Sequence, residues 1–126
     1  MKEVIVSEKA PKPVGPYSQA IKIGNLVFVS GQGPVDPKTG KIVSGDVREQ
    51  TKQTFENIEA ILNAAGLTLE HIVKVSVFLK NINDFSRMNE VYATLFKREP
   101  PARTTVQANL PLEGMLIEVD VIAALS

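Results

Sequence analysis

The stretch PARTTVQANLP at residues 101–111, followed by LIEVDV at residues 116–121, decides the fold. Proline at positions 100 and 101 favours extended backbone before Arg103. From Arg103 onwards every second side chain is polar, and in the later segment every second residue is apolar. This period of two predicts two β-strands. The turn-forming residues LPLEG at 110–114 lie between them, so we expect the two strands to be neighbours.

A cation and a carboxylate, Arg103 and Glu118, interrupt these two strands. An isolated arginine is most often a surface ion-pair residue, and an isolated strand glutamate is most often solvated. Arg103 follows a rigid Pro-Pro entry, however, and Glu118 lies in a nearly continuous apolar run where a charge is costly without a partner or a task. We therefore treat both residues as candidates for a functional site.

The rest of the chain gives the element order β-β-β-α-β-α-β-β. Strands are predicted at residues 2–6, 19–23, 26–30 and 72–79. Asp46, with Glu49 three residues later, predicts the start of a helix that runs to about residue 65. A second helix follows residues 83–84, and its core stripe is predicted to comprise Phe85, Met88, Val91, Tyr92, Leu95 and Phe96.

This order predicts an α+β fold in which two helices pack on one face of a single mixed sheet. The other face is expected to carry Arg103, Thr105 and Glu118 among apolar residues. Strand residues 26–29 are apolar on both sides, so the second face should be covered, most simply by another copy of the chain.

Composition indicates one soluble domain over residues 1–126. The chain has 14 basic and 14 acidic residues, and this balance argues against a nucleic-acid binder driven by bulk charge. Cysteine is absent and there is one histidine, His71, so thiolate sites are excluded and a histidine-based metal site would need carboxylate ligands. No apolar run is long enough for a membrane span and no signal peptide is visible, which favours a cytoplasmic protein.

Ser30 and Gly31 belong to the segment SGQGP, which ends a predicted strand. Spacing alone leaves two alternatives equally open, simple strand termination or a ligand-facing loop. The segment has neither the Walker A nor the GxGxxG spacing, which argues against a phosphate-binding loop.

Several motifs in register resemble the Rid family, the reactive intermediate deaminases, also called the L-PSP endoribonuclease family. They are GPYSQA at 15–20, SGQ at 30–32, Asn57 with AAGL at 64–67, VFL at 77–79 before Asp84-Phe85, Asn89 with Tyr92, and PAR at 101–103 followed by Ile117-Glu118. The resemblance covers nearly the whole chain. It implies a chorismate mutase-like homotrimer with clefts between subunits.

The same resemblance implies hydrolysis of 2-imino acids, such as 2-iminobutanoate and 2-iminopropanoate, to 2-keto acids and ammonia. These compounds leak from pyridoxal-phosphate enzymes, including one of isoleucine biosynthesis, whereas the Rid protein needs no cofactor or metal. By motif, Arg103 and the backbone amide of Thr105 would bind the substrate carboxylate, and Glu118 would position or activate water. The remaining pocket residues would be Tyr17, Ser30, Gly31 and Asn89.

Two departures from the family pattern and three alternatives remain at this point. Some relatives have cysteine where this chain has Thr105, which removes thiol-based regulation, and Asp120 replaces a common glutamate.

The first alternative is a non-catalytic 2-keto acid sensor that uses the same Arg103 cleft. The second is an RNA-cleaving translation inhibitor, which zero net charge and the lack of an aromatic-basic motif argue against. The third is a holdase, which no sequence feature indicates.

Overall fold

One mixed sheet of six strands, with two helices packed on one of its faces, forms the fold. The computed structural model describes residues 1–125. Its elements are β1 Glu3–Ile5, β2 Ala20–Ile23, β3 Leu26–Gln32, α1 Val47–Ala64, β4 Ile72–Leu79, α2 Phe85–Leu95, β5 Ala102–Gln107 and β6 Ile117–Ala124, with 3₁₀ turns at Leu69–His71 and Ile82–Asp84. The predicted α+β class and element order are confirmed.

Local capping explains where α1 begins and ends. The Asp46 side chain accepts a hydrogen bond from Arg48 N at 2.8 Å, and the Glu49 carboxylate accepts one from Asp46 N at 3.2 Å. Both bonds satisfy amides that a helix leaves unpaired in its first turn, as the sequence predicts. At the other end, Gly66 adopts a φ of +79°, a left-handed conformation that glycine accepts without strain.

The core lies between the sheet and the helices. Alternate residues of β6, from Ile117 to Ala123, are almost fully buried, and they face Phe55, Ile58 and Leu62 of α1. Helix α2 adds an aromatic cluster in which Phe55 meets Tyr92 and Phe96 edge-on, with ring centroids 5.8 Å and 5.7 Å apart. Phe85, which the sequence places in the α2 core stripe, departs from that prediction because it is 40% exposed.

The predicted neighbours β5 and β6 do not pair. The strand order is β1-β2-β3-β6-β4-β5, so β4 lies between them, antiparallel to β6 and parallel to β5. The turn residues 110–114 belong to a connection that passes over the end of β4, where Lys80 N donates to Leu116 O and Ala108 N donates to Leu79 O. The turn was correctly predicted, but turn residues alone do not show that a third strand fits between the two they join.

The predicted placement of Arg103, Thr105 and Glu118 on one face of the sheet is also wrong. Arg103 pairs with Val75, and Thr105 pairs with Val77, so both side chains share the helix-covered face with those buried valines. Glu118 pairs with Phe78 on the opposite, open face. Alternation determines which residues of one strand share a face. Whether a residue of β5 and a residue of β6 lie on the same face is determined by how each strand pairs with β4.

The open face carries a row of apolar residues in register across four strands: Val4, Ile21, Phe28 and Ile122. Phe28 is 41% exposed and its neighbour Leu26 is 39% exposed, whereas Val27 and Val29 between and beside them are buried on the helix side. Strand β3 is therefore apolar on both faces, as predicted, and its second face lies open in the single chain.

Candidate active site

Arg103 is held on β5 by side chains of α2. Its guanidinium carbon lies 4.5 Å from the centre of the Tyr92 ring and 5.5 Å from that of Phe85, and Nη1 lies 4.0 Å from Met88 Sδ. Within residues 1–125 no Asp or Glu side chain forms an ion pair with it. A half-buried cation with aromatic and sulfur neighbours keeps its positive charge uncompensated, which suits the binding of an anion.

Polar groups around Arg103 have unused hydrogen-bonding capacity. In the described part of the chain, Tyr92 and Thr105 are the residues with a buried side-chain oxygen that lacks a partner. Burial raises the pKa of the Tyr92 phenol, and the charge of Arg103 partly opposes that rise. Asn89 lies half-buried on the same helix, one residue after Met88. The structure therefore places Arg103 and Thr105 on the helix-covered face of β5, and Arg103 contacts α2, the helix that carries Asn89; these three residues are called the cationic cluster.

Glu118 lies on the open face of β6 beside Gly31. Burial raises the pKa of its carboxyl above the usual value, and the negative charge of Asp120 raises it further. A methyl group added at Gly31 would lie 2.5 Å from Glu118 Oε2. Only glycine at position 31 leaves room for the Glu118 carboxylate. The neighbouring carboxylate therefore explains the glycine, which the backbone geometry of the strand alone does not require.

A cavity of about 500 Å³ opens beside Glu118. Tyr17 and Gly31 line it together with the N-terminal loop around Val14, and Leu112 and Met115 close it from the connection before β6. The carboxylate cluster of Tyr17, Gly31 and Glu118 is therefore a second group of predicted site residues brought together by the fold. Most of the wall is apolar, which accounts for the desolvation of Glu118.

Ser30 does not line this cavity but connects its walls. Its hydroxyl donates to Ser18 O at 2.6 Å and its amide donates to Gln19 O at 2.9 Å, which fixes the Tyr17 loop to β3. Sequence reasoning missed two supporting residues. Gln19 Nε2 donates to Pro11 O at 2.9 Å and so holds the proline-rich loop. Gln50 accepts from Leu116 N at 2.8 Å and anchors the chain before Glu118.

The cationic cluster and the carboxylate cluster are far apart in one chain. Glu118 is level with Phe78 and Val106 in register, and Arg103 lies three residues further along β5. From a rise of about 3.3 Å per residue and a strand spacing of about 4.8 Å, their Cα atoms are about 14 Å apart. Their side chains also point to opposite faces. The predicted site residues thus form two separate groups, called half-sites below, and the periodicity of the strands does not reveal this separation.

Among residues 1–125, no group of three or more histidine, aspartate or glutamate side chains is arranged to hold a metal ion. Neither α1 nor α2 is long and apolar enough to cross a membrane.

Comparison with known proteins identifies the family. Residues 7–125 match the family described as endoribonuclease L-PSP. A RutC family protein of Pyrococcus horikoshii is 57% identical over 123 residues, 98% of each chain. This chain belongs to the Rid family. The human protein named 2-iminobutanoate/2-iminopropanoate deaminase is 42% identical over 123 residues, which cover 98% of this Rid chain and 90% of the human one. The crystal structure of a Rid family protein from Yersinia pestis, described as of unknown function, superposes with a TM-score of 0.94 at 44% identity and covers 98% of this chain and 99% of the other.

Proposed function

We propose that this Rid chain hydrolyses 2-imino acids, such as 2-iminobutanoate and 2-iminopropanoate, to 2-keto acids and ammonia. The observation that carries the proposal is the pair of half-sites: a cation with no carboxylate partner among residues 1–125, and a carboxylate whose pKa is raised in an apolar cavity. A 2-imino acid needs both, because it is a small anion with an electrophilic carbon. The name of the human relative supports this substrate class.

In the proposed mechanism, Arg103 binds the substrate carboxylate. The guanidinium offers two parallel N–H donors to the two carboxylate oxygens. Strand β5 is at the edge of the sheet, so part of its backbone is free of ladder hydrogen bonds, and the Thr105 amide would add a donor from there. Asn89 would orient the imine from the adjacent helix.

Glu118 would act as the general base. Its carboxylate takes a proton from a water molecule as the water oxygen adds to the imine carbon, and it passes that proton to the imine nitrogen, which gives a neutral carbinolamine. Glu118 then takes the proton of the carbinolamine hydroxyl as the keto group forms and gives it to the departing nitrogen, so that the carbon–nitrogen bond breaks and ammonia leaves. A raised pKa suits both steps, since it makes the carboxylate a stronger base and makes its acid form easier to reach than that of an ordinary glutamate. Tyr17 and Gly31 would shape the pocket around it.

The two half-sites would meet between copies of the chain. The 14 Å estimate and the opposite faces prevent one chain from placing both groups on one small substrate. A second copy that covers the open apolar face would bring its own edge strand β5, which carries Arg103, towards Glu118 of the first copy. A closed ring of three copies, with three identical clefts, satisfies every chain in the same way.

Release of ammonia from freshly generated 2-iminobutanoate tests the proposal, with spontaneous hydrolysis and the Arg103→Ala protein as controls. The expected result is acceleration by the native protein and none by the variant. Equal rates with and without native protein would contradict it. Binding of 2-ketobutyrate without any acceleration would instead favour the sensor.

A further inference from the structure

Arg103 differs from the other arginines of the chain in what surrounds its guanidinium. Arg48 bonds to Asp46 at 2.7 Å and to Glu90 at 3.1 Å, Arg87 bonds to Asp84 at 3.1 Å, and Arg98 bonds to Glu70 at 3.4 Å. In the same described residues, Arg103 instead contacts two aromatic rings and a thioether, all on α2.

The three contacts share one face of the helix. Phe85, Met88 and Tyr92 follow each other at intervals of three and four residues, which is the spacing of one helical stripe. The sequence assigned all three to the core, but Phe85 is 40% exposed at the first position of the helix. Phe85 is therefore much less buried than Met88 and Tyr92, and packing into the core does not by itself account for its position over the guanidinium.

The physical difference between the two kinds of partner is charge. A carboxylate fixes a guanidinium but also neutralises it and occupies the donors that a substrate would use. The π-face of an aromatic ring attracts the cation through its quadrupole and leaves the edge donors and the net charge in place. Such a cage orders a long flexible side chain before the substrate arrives, which lowers the entropic cost of binding.

We propose that Phe85, Met88 and Tyr92 form an aromatic-sulfur cage that positions Arg103 and keeps its charge available for the substrate carboxylate. Phe85 and Tyr92 are thus positioning residues that act through Arg103. The inference rests on the proposed function for its consequence in catalysis, whereas the cage itself is observable without turnover.

The chain offers well-matched variants. Phe85→Leu removes a ring but keeps an apolar side chain at a position that is 40% exposed, and Phe85→Tyr restores the ring. Tyr92→Phe keeps the ring and removes a buried hydroxyl that has no hydrogen-bond partner in the described residues, so it separates the ring from the hydroxyl. Since that hydroxyl makes no bond to lose, Tyr92→Phe should not lower the melting temperature.

The first measurement follows Arg103 itself. In ¹⁵N-labelled protein, the Nε–Hε signal of Arg103 is assigned by its loss in Arg103→Lys. In the native protein we expect it to be shifted by the ring currents of Tyr92 and Phe85 and to have restricted motion. Phe85→Leu should move it towards the position of an exposed arginine and make it more mobile, and Phe85→Tyr should restore it.

The second measurement is affinity for 2-ketobutyrate by calorimetry together with steady-state kinetics of ammonia release. Loss of one ring should weaken binding by about 2- to 5-fold, the usual range for a single cation–π contact near the surface. The loss should appear as a higher KM with kcat nearly unchanged, because the cage acts on carboxylate binding rather than on water activation. Phe85→Tyr and Tyr92→Phe should stay within about twofold of the native protein, since both keep the rings.

A mobile, unshifted Arg103 signal in the native protein would overturn the cage whatever the activity. An affinity for 2-ketobutyrate that Phe85→Leu leaves unchanged would overturn the positioning role. If the native protein shows the ordered signal but neither binds the keto acid nor releases ammonia, the cage stands and the proposed function fails.

Discussion

Mixing two inactive variants tests whether Arg103 and Glu118 act in one site from two chains. Arg103→Ala removes the cation, and Glu118→Gln removes the base while it keeps the side-chain shape. Loss of the buried charge-assisted pair to the substrate should cost about 2–5 kcal/mol of binding. Loss of a general base should reduce the rate by ~10²-fold or more. Each variant alone should therefore be nearly inactive.

The recovery on mixing follows from the geometry. If every cleft takes Arg103 from one chain and Glu118 from its neighbour, a cleft works when the first chain carries Glu118→Gln and the second carries Arg103→Ala. In a random one-to-one mixture each condition holds for about half of the chains, so about a quarter of the clefts regain both groups. Co-expression of the two variants with different tags, followed by purification on both tags in turn, removes the uniform oligomers, so about a third of the clefts in the mixed trimers should work in the ammonia assay.

A matched control separates complementation from other effects of mixing. Glu118→Gln mixed with the double variant Arg103→Ala/Glu118→Gln contains no native Glu118 and should stay inactive. Absence of recovery in verified mixed oligomers of the two single variants would refute the two-chain site, and the 14 Å separation would then have to close within one chain.

Further predictions concern the two half-sites separately. Gly31→Ala should leave the fold stable, because the obstructing atom is the end of a flexible side chain, but it should displace the Glu118 carboxylate and lower kcat about 10-fold or more, as measured by ammonia release and thermal melting. Arg103→Lys should bind 2-ketobutyrate by calorimetry more tightly than Arg103→Ala but less tightly than the native protein, because lysine lacks the planar fork. Asp120→Asn should lower the pKa of Glu118 and move the acidic limb of the pH–rate profile to lower pH, since ionised Glu118 is the active form. The folded pKa of Glu118 is raised, so the folded state binds the proton more tightly and loses stability as pH rises through that pKa. Glu118→Gln should therefore melt higher than the native protein at neutral pH and lose that advantage below the ordinary value of 4.5.

The local elements of this chain were predictable because local interactions determine them. Asp46 and Glu49 cap α1 through bonds within one turn, and Gly66 ends it through its own backbone freedom. The strands predicted at residues 19–23 and 26–30 pair directly across the two residues between them, Ile23 with Leu26. In each case the residues that give the signal are the residues that make the contact, so a single sequence contains the necessary information.

The arrangement of the candidate site was only partly predictable because it depends on contacts that are distant in sequence. Motifs identified Arg103 and Glu118, but the insertion of β4 between β5 and β6 decides that they face opposite sides. Periodicity likewise assigned Phe85 to the core, since a helical stripe contains no information on whether its first residue meets a sheet or an arginine.

The separation of the half-sites has a chemical consequence. If Arg103 and Glu118 faced each other within one folded chain, they would form an ion pair, which would lower the pKa of the base and occupy the cation. On opposite faces, the cation keeps aromatic partners and the carboxylate keeps a raised pKa. In the proposed assembly the two groups approach only across a cleft, where a substrate anion occupies the guanidinium and a water molecule lies near the carboxylate. The single chain would then be inactive, and dilution below the concentration that holds the oligomer together should abolish ammonia release in parallel with loss of the assembled species in sedimentation.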